Sequence, residues 1–261
     1  MGKCYGRTVP LERGYRQLAR HQQAIAPADQ LAVAQQMVRA KLRNSRVILL
    51  RQQRRQGSAA ITTAIASLEY LADQASGADS VERLMGLEGA GASSYFSALG
   101  DCFRQPGFVF MARSRRPPGN PINAMLSFGY QILWNHLLTL IELQGLDAYQ
   151  ACLHQGSERH AALASDLVEE FRAPIVDSLT LYVVNRGMVN ADRDFEFHDG
   201  GCFLNESGRK RFLQAFVQRM EESLSTEDGE QPRWDLLMQQ VKAYKRWVYD
   251  RTRGYVPYQI R

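Results

Sequence analysis

Residues 29–56 read DQLAVAQQMVRAKLRNSRVILLRQQRRQ, a stretch that contains neither Gly nor Pro. Apolar residues recur in it at nearly the spacing of a helical turn, about 3.6 residues: Leu31, Ala34, Val38, Leu42 and Leu49. Its polar side carries basic residues with no acid among them: Arg39, Lys41, Arg43, Arg46, Arg51, Arg54 and Arg55. The stretch therefore predicts a long amphipathic helix with a basic face.

The rest of the chain continues the helical pattern. Further helices are predicted at about 60–75, 81–99, 121–143, 161–184, 206–223 and 233–253, with a loop at 225–232. Pro174 is expected to kink or split the 161–184 helix. Phe195–His198 and Cys202–Leu204, joined through Asp199-Gly200-Gly201, are typical of a β-hairpin. The fold class expected is mainly α, a multi-helix body with one small β-hairpin.

The composition excludes several classes of protein. A hydrophobic fraction of 45% and an aromatic fraction of 10% exclude a disordered or collagen-like chain. No apolar run reaches the length of about 18 residues that a membrane span needs, and residues 1–7 lack the apolar stretch of a signal peptide. The four cysteines form no C-x-x-C pair, which disfavours zinc fingers and disulfide frameworks. We expect an intracellular protein with reduced thiols and no membrane partner.

Charge is unevenly distributed along the chain. Residues 1–60 hold 12 basic and 2 acidic residues, a net charge of +10. Residues 61–232 have a net charge of −10, and residues 233–261 of +5. Basic regions suit phosphate backbones and an acidic centre suits divalent cations. A solvated basic helix has the same composition, so both interpretations stay open at this point.

Two single residues could carry chemistry. Glu88 lies in Gly86–Phe96, a segment rich in small residues that allows close helix packing. A carboxylate buried there needs a partner, and a metal ion and an Arg are both candidates. His154 follows Cys152-Leu153, which suggests a half-buried setting. A lone His in such a setting is usually only hydrogen-bonded, and a metal-ligand role is the alternative.

A third candidate is an acidic cluster. Asp166, Glu169 and Glu170 fall at i, i+3 and i+4, close to one face of the predicted 161–184 helix. A divalent cation would relieve their repulsion, and Arg172 offers a local partner instead. Together with Glu88 and His154, these oxygen ligands and one imidazole favour Mg²⁺ or Mn²⁺ over a thiolate zinc site. Such sites often serve phosphoryl chemistry.

Short motifs occur in a fixed order along the chain. They are Gly86–Phe96; Arg115–Pro118 leading to Asn123–Tyr130; Gly145–Asp147; Leu153-His154; Ser165–Arg172; Asn185-Arg186; Leu204-Asn205 with Gly208–Lys210; and Tyr255–Arg261. In these motifs the chain resembles the CRISPR-associated integrase family, the larger subunit of the spacer-acquisition machinery. The resemblance covers about residues 20 to 261.

The resemblance implies a metal centre and an activity. Glu88, His154 and Glu169 would coordinate Mg²⁺ or Mn²⁺, and Asp166 matches a further catalytic acidic position beside them. The implied activity is that of a metal-dependent DNA endonuclease and integrase. A 3′-hydroxyl of a short foreign DNA fragment would attack a phosphodiester at the boundary of a CRISPR repeat, which inserts the fragment as a new spacer.

The resemblance also implies partners. They are double-stranded DNA fragments, CRISPR repeat DNA, a second copy of the chain and the small second adaptation subunit, with fused reverse transcriptases known in the family. The expected location is the prokaryotic cytoplasm. The residues expected to contact phosphates include Arg39, Lys41, Arg43, Arg46, Lys242, Lys245 and Arg246.

Domain organisation is the main departure from the family. Its members carry a β-rich N-terminal domain that helps them to dimerise, and we expect this domain to be missing or reduced to a remnant here. Residues 1–20 would be a linker or remnant, and 21–261 the helical metal-dependent catalytic domain. The alternative is a non-catalytic helical nucleic-acid-binding or assembly module, which needs only the basic flanks. A metal-dependent nuclease assay on Glu88→Ala separates the two.

Overall fold

The computed structural model of the chain describes residues 15–55, 57–156, 160–226 and 229–260. Within these ranges it contains nine α-helices and two short antiparallel hairpins. The expected mainly α fold is therefore confirmed. The linker or remnant expected at the N-terminus lies outside the described residues up to residue 14, and residues 15–20 belong to the first helix.

The bounds of helices α2 to α5, α8 and α9 and of the first hairpin agree closely with the sequence pattern, whereas α1 and the second hairpin were not predicted. The helices are α1 (Tyr15–Gln23), α2 (Pro27–Gln53), α3 (Ala59–Ser76), α4 (Val81–Leu99), α5 (Pro121–Leu143), α6 (Ala162–Val168), α7 (Ser178–Asn185), α8 (Glu206–Glu221) and α9 (Arg233–Tyr249). The strands are β1 (Phe195–His198), β2 (Gly201–Leu204), β3 (Ser223–Thr226) and β4 (Gly229–Pro232). Short 3₁₀ turns cover Gly100–Cys102 and Arg251–Arg253.

Side-chain caps determine where several helices begin. The hydroxyl of Ser58 accepts a hydrogen bond from the Ile61 N–H at 3.1 Å, before α3. The side chain of Asn120 accepts one from the Asn123 N–H at 2.9 Å, and Pro121 occupies the first position of α5. Each cap satisfies an N–H group that has no partner within the helix. These local signals explain why the sequence located the helix starts well.

Helices α2, α3 and α4 pack against one another. Close approach of α4 to α2 depends on Gly91, where a Cβ would clash with Cδ2 of Leu42. A Cβ at Gly86 or Gly89 would meet no atom of the described residues within 4 Å. Of these three glycines, Gly91 is therefore the one that serves close packing.

The predicted 161–184 helix is divided, as expected from Pro174. Helix α6 ends at Val168, and a π-helix covers Arg172–Asp177 before α7 begins. Proline has no N–H to donate, so regular α-helical hydrogen bonding is interrupted at this point. In a regular α-helix the N–H of residue 174 would bond the Glu170 carbonyl, which accepts a hydrogen bond from the Asn44 side-chain amide instead, at 2.8 Å. The interruption redirects the side chains that follow α6.

The sequence predicted one of the two hairpins and missed the other. In the β1–β2 hairpin the turn residues Asp199 and Gly200 have φ values of 51° and 71°, as a two-residue type I′ turn requires. Strands β3 and β4 form a second hairpin where the sequence predicted a loop at 225–232. The expectation of a single hairpin was therefore incomplete. Gly229, the first residue of β4, has a φ of 105°, a conformation that favours glycine.

Segment 255–260 lies across α2 and the turn after α6. The side-chain amide of Asn44 on α2 donates to the Tyr258 carbonyl at 2.9 Å and accepts from the Ile260 N–H at 3.0 Å. The carboxylate of Glu170 accepts the Tyr258 N–H at 2.8 Å and the Tyr255 hydroxyl. Segment 255–260 therefore ties α2 to the turn that follows α6.

Two further expectations concern cysteines and membranes. Cys102, Cys152 and Cys202 are buried free thiols, and Cys4 lies outside the described residues. No helix in the described part of the chain is long and apolar enough to cross a membrane.

Candidate active site

Two carboxylates from distant parts of the chain converge on one cation. Lys41 on α2 extends between Glu88 on α4 and Glu169, which follows α6 directly. Its Nζ contacts Oε1 of Glu88 and lies 2.6 Å from Oε2 of Glu169. The side chains of the three residues are 12%, 16% and 3% exposed. The ion pairs therefore lie in a largely desolvated place, where charge interactions are strong.

Glu169 faces a second cation as well. Nη1 of Arg172 lies 3.2 Å from its Oε1. Burial by itself would raise the pKa of the Glu169 carboxyl, but Arg172 and Lys41 outweigh it and hold that pKa well below its usual range. Glu169 is therefore ionised at neutral pH, as a metal ligand or a phosphate-site carboxylate must be. The Arg partner considered for the acidic cluster is thus present, beside Lys41.

His154 is held by Asp166. The buried Asp166 carboxylate accepts the backbone N–H groups of Cys152 at 2.7 Å, Leu153 at 2.9 Å and His154 at 2.9 Å. Its Oδ1 also lies 2.8 Å from Nδ1 of the His154 ring. Burial lowers the pKa of His154, but this hydrogen bond and the charge of Asp166 raise it overall. Asp166 fixes the loop and the ring orientation, which leaves Nε2 of His154 available.

The donor chemistry of this site suits a hard divalent cation. Two carboxylates and one imidazole are ligands that Mg²⁺ and Mn²⁺ accept. Oε2 of Glu169 is buried and meets Lys41 by charge, without hydrogen-bond geometry. As placed, however, no group of three or more His, Cys, Asp and Glu side chains in the described ranges could hold a metal ion. The residue types fit, and the cation between the two carboxylates is the Lys41 ammonium.

The acidic cluster does not converge as its helical spacing suggested. Asp166 binds the loop of His154, Glu169 binds Lys41 and Arg172, and Glu170 binds segment 255–260. The i, i+3, i+4 pattern presumes a continuous helix, whereas α6 ends at Val168. All three acids are buried rather than exposed. Burial raises the pKa of Glu170 to about 8, against hydrogen bonds from Tyr255 and Tyr258.

A second buried network, which no sequence motif predicted, adjoins the site. The carboxylate of Asp177 accepts hydrogen bonds from the hydroxyls of Tyr95 and Tyr130. The guanidinium of Arg172 lies 4.8 Å from the centre of the Tyr130 ring, a cation–π contact. A small cavity lined by Lys41, Glu169, Arg172 and both tyrosines lies between this network and the Lys41–Glu169 ion pair. Its partners come from three different helical segments, which no sequence spacing indicates.

The residues expected to contact DNA phosphates are differently placed. Lys242 and Arg246 are exposed on α9, whereas Lys245 is buried. Arg46 pairs with Glu69 at 3.0 Å, and Lys41 with the two carboxylates. Arg39 and Arg43 are partly exposed on α2. The phosphate contacts stay predictions, but Lys41 and Lys245 are largely buried in the chain and do not lie on an exposed basic face.

Comparison with known proteins decides the family. The family model described as CRISPR associated protein Cas1 matches residues 1–218. The chain belongs to the Cas1 family. A Cas1 endonuclease of Thermus thermophilus is 36% identical over 241 residues, which is 92% of this chain and 73% of that relative. The resemblance found in the sequence motifs is thereby confirmed.

Other Cas1 relatives are parts of larger proteins. A Cas4 exonuclease/Cas1 endonuclease fusion of Geobacter sulfurreducens is 37% identical over 212 residues, 78% of this chain and 38% of the fusion. The solved structure of a Cas6-RT-Cas1–Cas2 complex has a TM-score of 0.82 at 26% identity, and the match covers 95% of this chain and 27% of that one. The chain therefore spans only a minor part of these two relatives.

Proposed function

We propose that this Cas1-family chain is a divalent-metal-dependent DNA endonuclease and integrase that inserts DNA fragments as new spacers into a CRISPR array. One observation carries the proposal: Glu88 and Glu169 converge on a single cation, in a site where Asp166 holds the His154 ring. The curated Cas1 relatives are named endonucleases, which supports the same reaction class.

Each residue has a definable task in this reaction. Glu88, Glu169 and Nε2 of His154 would hold Mg²⁺ or Mn²⁺, and that cation would neutralise the charge that develops at phosphorus and activate the attacking hydroxyl. Asp166 accepts a hydrogen bond from the Nδ1–H group of His154, so that in the neutral ring Nε2 would present its lone pair to the cation. The cation has to displace the proton that the raised pKa of His154 favours there. Asp166 is a positioning residue in this account rather than a ligand.

The basic side chains near the carboxylates would orient the DNA. Arg115 and Arg172 line the cavity next to Glu169, where guanidinium groups suit the non-bridging oxygens of a phosphodiester. Lys242 and Arg246 are exposed farther along the chain and would contribute affinity without sequence preference.

The proposed partners rest on the family resemblance, and one solved relative supports two of them. We propose DNA fragments and CRISPR repeat DNA as substrates, a second copy of the chain, and Cas2 as the small adaptation subunit. The Cas6-RT-Cas1–Cas2 complex supports the Cas2 partner and a link to a reverse transcriptase. This function places the protein in the prokaryotic cytoplasm.

The test is a strand-joining assay on a branched DNA substrate, with DNA binding measured in parallel. His154→Ala and Glu169→Ala are expected to abolish joining with Mg²⁺ while changing DNA affinity little, because other basic residues supply most of the binding. His198→Ala is the matched control, since His198 is half-exposed on the β1–β2 hairpin. Joining at the wild-type rate by His154→Ala would refute the metal mechanism and favour a non-catalytic binding module.

A further inference from the structure

Lys41 lies between two acidic side chains, Glu88 and Glu169. We propose that the Lys41 ammonium is a built-in counter-cation of the site, which a divalent metal ion must displace from Glu88 and Glu169 in order to bind. Metal loading and release of Lys41 would then be one coupled event. This inference rests on the proposed function, because it concerns the same two carboxylates.

The Lys41 ammonium and a divalent cation exclude each other because they need the same carboxylate oxygens. Nζ of Lys41 contacts one oxygen of Glu88 and one of Glu169, so it engages the carboxylate edges that face each other. A divalent cation bridging these edges would take the same lone pairs and would repel the ammonium strongly in a largely desolvated place. The two cations therefore cannot share the position.

Lys41 also has a structural reason to be there. Glu88 and Glu169 would repel each other without a cation between them, and Glu169 is only 3% exposed. A buried charge without compensation is costly, so the ammonium stabilises the pair in the absence of metal. The site is thus held in its converged form before a metal arrives.

The surroundings offer Lys41 a place to move. The cavity next to it is lined by Ser45, Tyr95, Arg115 and Tyr130 in addition to Glu169. The lysine side chain has four rotatable methylene groups, which allow its end to swing while its stem stays packed on α2. The cavity has a volume of about 20 Å³, which is room for one water-sized group, so a released ammonium can shift into it beside Arg115.

The test measures metal binding without DNA and without turnover. Mn²⁺ binding to the full chain is titrated by the loss of the EPR signal of free Mn²⁺, for wild type, Lys41→Met and Arg43→Met. Lys41→Met keeps the length of the stem and removes the charge. Arg43→Met removes one charge from the same helix at a position rotated by about 200°. Lys41→Met is expected to bind Mn²⁺ about tenfold more tightly than wild type, and Arg43→Met within about twofold of it.

Thermal unfolding supplies a second measurement. Without metal, Lys41→Met should melt at a lower temperature than wild type, and saturating Mn²⁺ should raise its melting temperature by more than it raises that of wild type. NMR of the wild-type lysine ammonium groups makes the result independent of how well the variant folds. Titration with Mg²⁺ should shift or broaden one shielded ammonium resonance that is observable in the metal-free protein.

The outcomes separate this inference from the proposed function. Equal Mn²⁺ affinity for wild type and Lys41→Met, with an unchanged ammonium resonance in the wild-type NMR titration, would overturn the displacement and leave the metal site in place. No Mn²⁺ binding by either protein would overturn the metal site and the displacement together. Tighter binding by Lys41→Met but not by Arg43→Met would support the exchange.

Discussion

Asp166 is the residue whose replacement tests the site most directly. The Asp166→Asn substitution keeps the shape of the side chain and removes its charge and one of its two acceptor oxygens. In the folded chain the carboxylate receives four hydrogen bonds at 2.7–2.9 Å, three from the backbone of residues 152–154 and one from the His154 ring. An asparagine can accept at only one of the two oxygen positions.

The expected loss in the free energy of unfolding follows from the number of N–H donors that lose an acceptor. Each oxygen of Asp166 serves two donors, so two N–H groups would face the NH₂ group of an asparagine. A hydrogen bond to a charged group contributes about 1.5–3 kcal/mol, and the loss is therefore about 3–6 kcal/mol. This is a large part of the total stability of about 5–15 kcal/mol that is typical of a folded domain.

The assay is urea unfolding at neutral pH, followed by circular dichroism. Asp192→Asn is the control, because Asp192 is exposed and its replacement should change the free energy of unfolding by less than about 0.5 kcal/mol. A free energy of unfolding for Asp166→Asn within about 1 kcal/mol of wild type would refute the reasoning. The loop at residues 152–154 would then be held by something other than this carboxylate.

Two further predictions concern pH and DNA binding. Burial raises the pKa of Asp177 from 3.8 to about 6, so the folded chain keeps this proton to a higher pH than the unfolded chain does. Wild type should therefore lose about 3 kcal/mol of stability between about pH 3 and pH 7 that Asp177→Asn does not lose; parallel stability curves from urea unfolding would contradict this. Replacing exposed Lys242 and Arg246 by Gln should reduce the salt slope of DNA binding by about 0.9 per phosphate contact, and an unchanged slope in fluorescence titrations would assign both to the solvated surface.

The helices were predictable because their signals are local. Ser58, Ser80 and Asn120 cap helices within three residues of themselves, and Pro174 interrupts a helix by its own chemistry. Helix α1 was missed because its sequence has neither a Ser, Thr, Asp or Asn directly before its start nor a long apolar pattern. The β3–β4 hairpin was missed because its strands read Ser-Leu-Ser-Thr and Gly-Glu-Gln-Pro, a mainly polar pattern typical of a loop. They lack the aromatic residues that mark β1–β2.

The candidate site was predictable only in part. The acids and His154 were found through motifs, yet their arrangement depends on where α6 ends, which spacing alone does not show. Lys41 was assigned to the basic face of α2, although it follows buried Met37 by four residues and buried Val38 by three. A single charge within an apolar stripe is a signal for a buried ion pair. That signal was present in the sequence.

Segment 255–260 is synthesised last, so its contacts with the site form late during protein synthesis. Two of the three hydrogen-bond partners of Asn44 lie 214 and 216 residues later in the chain, and one partner of Glu170 lies 88 residues later. At a ribosomal rate of about 5–20 residues per second, Asn44 waits roughly 10–40 s for them. Lys41 and Glu169 are close neighbours of these two residues in sequence. In a nascent chain the helices α2 to α4 are free to pack early. The contacts of segment 255–260 with Asn44 and Glu170, next to the carboxylate pair, form only after residue 260 has been added.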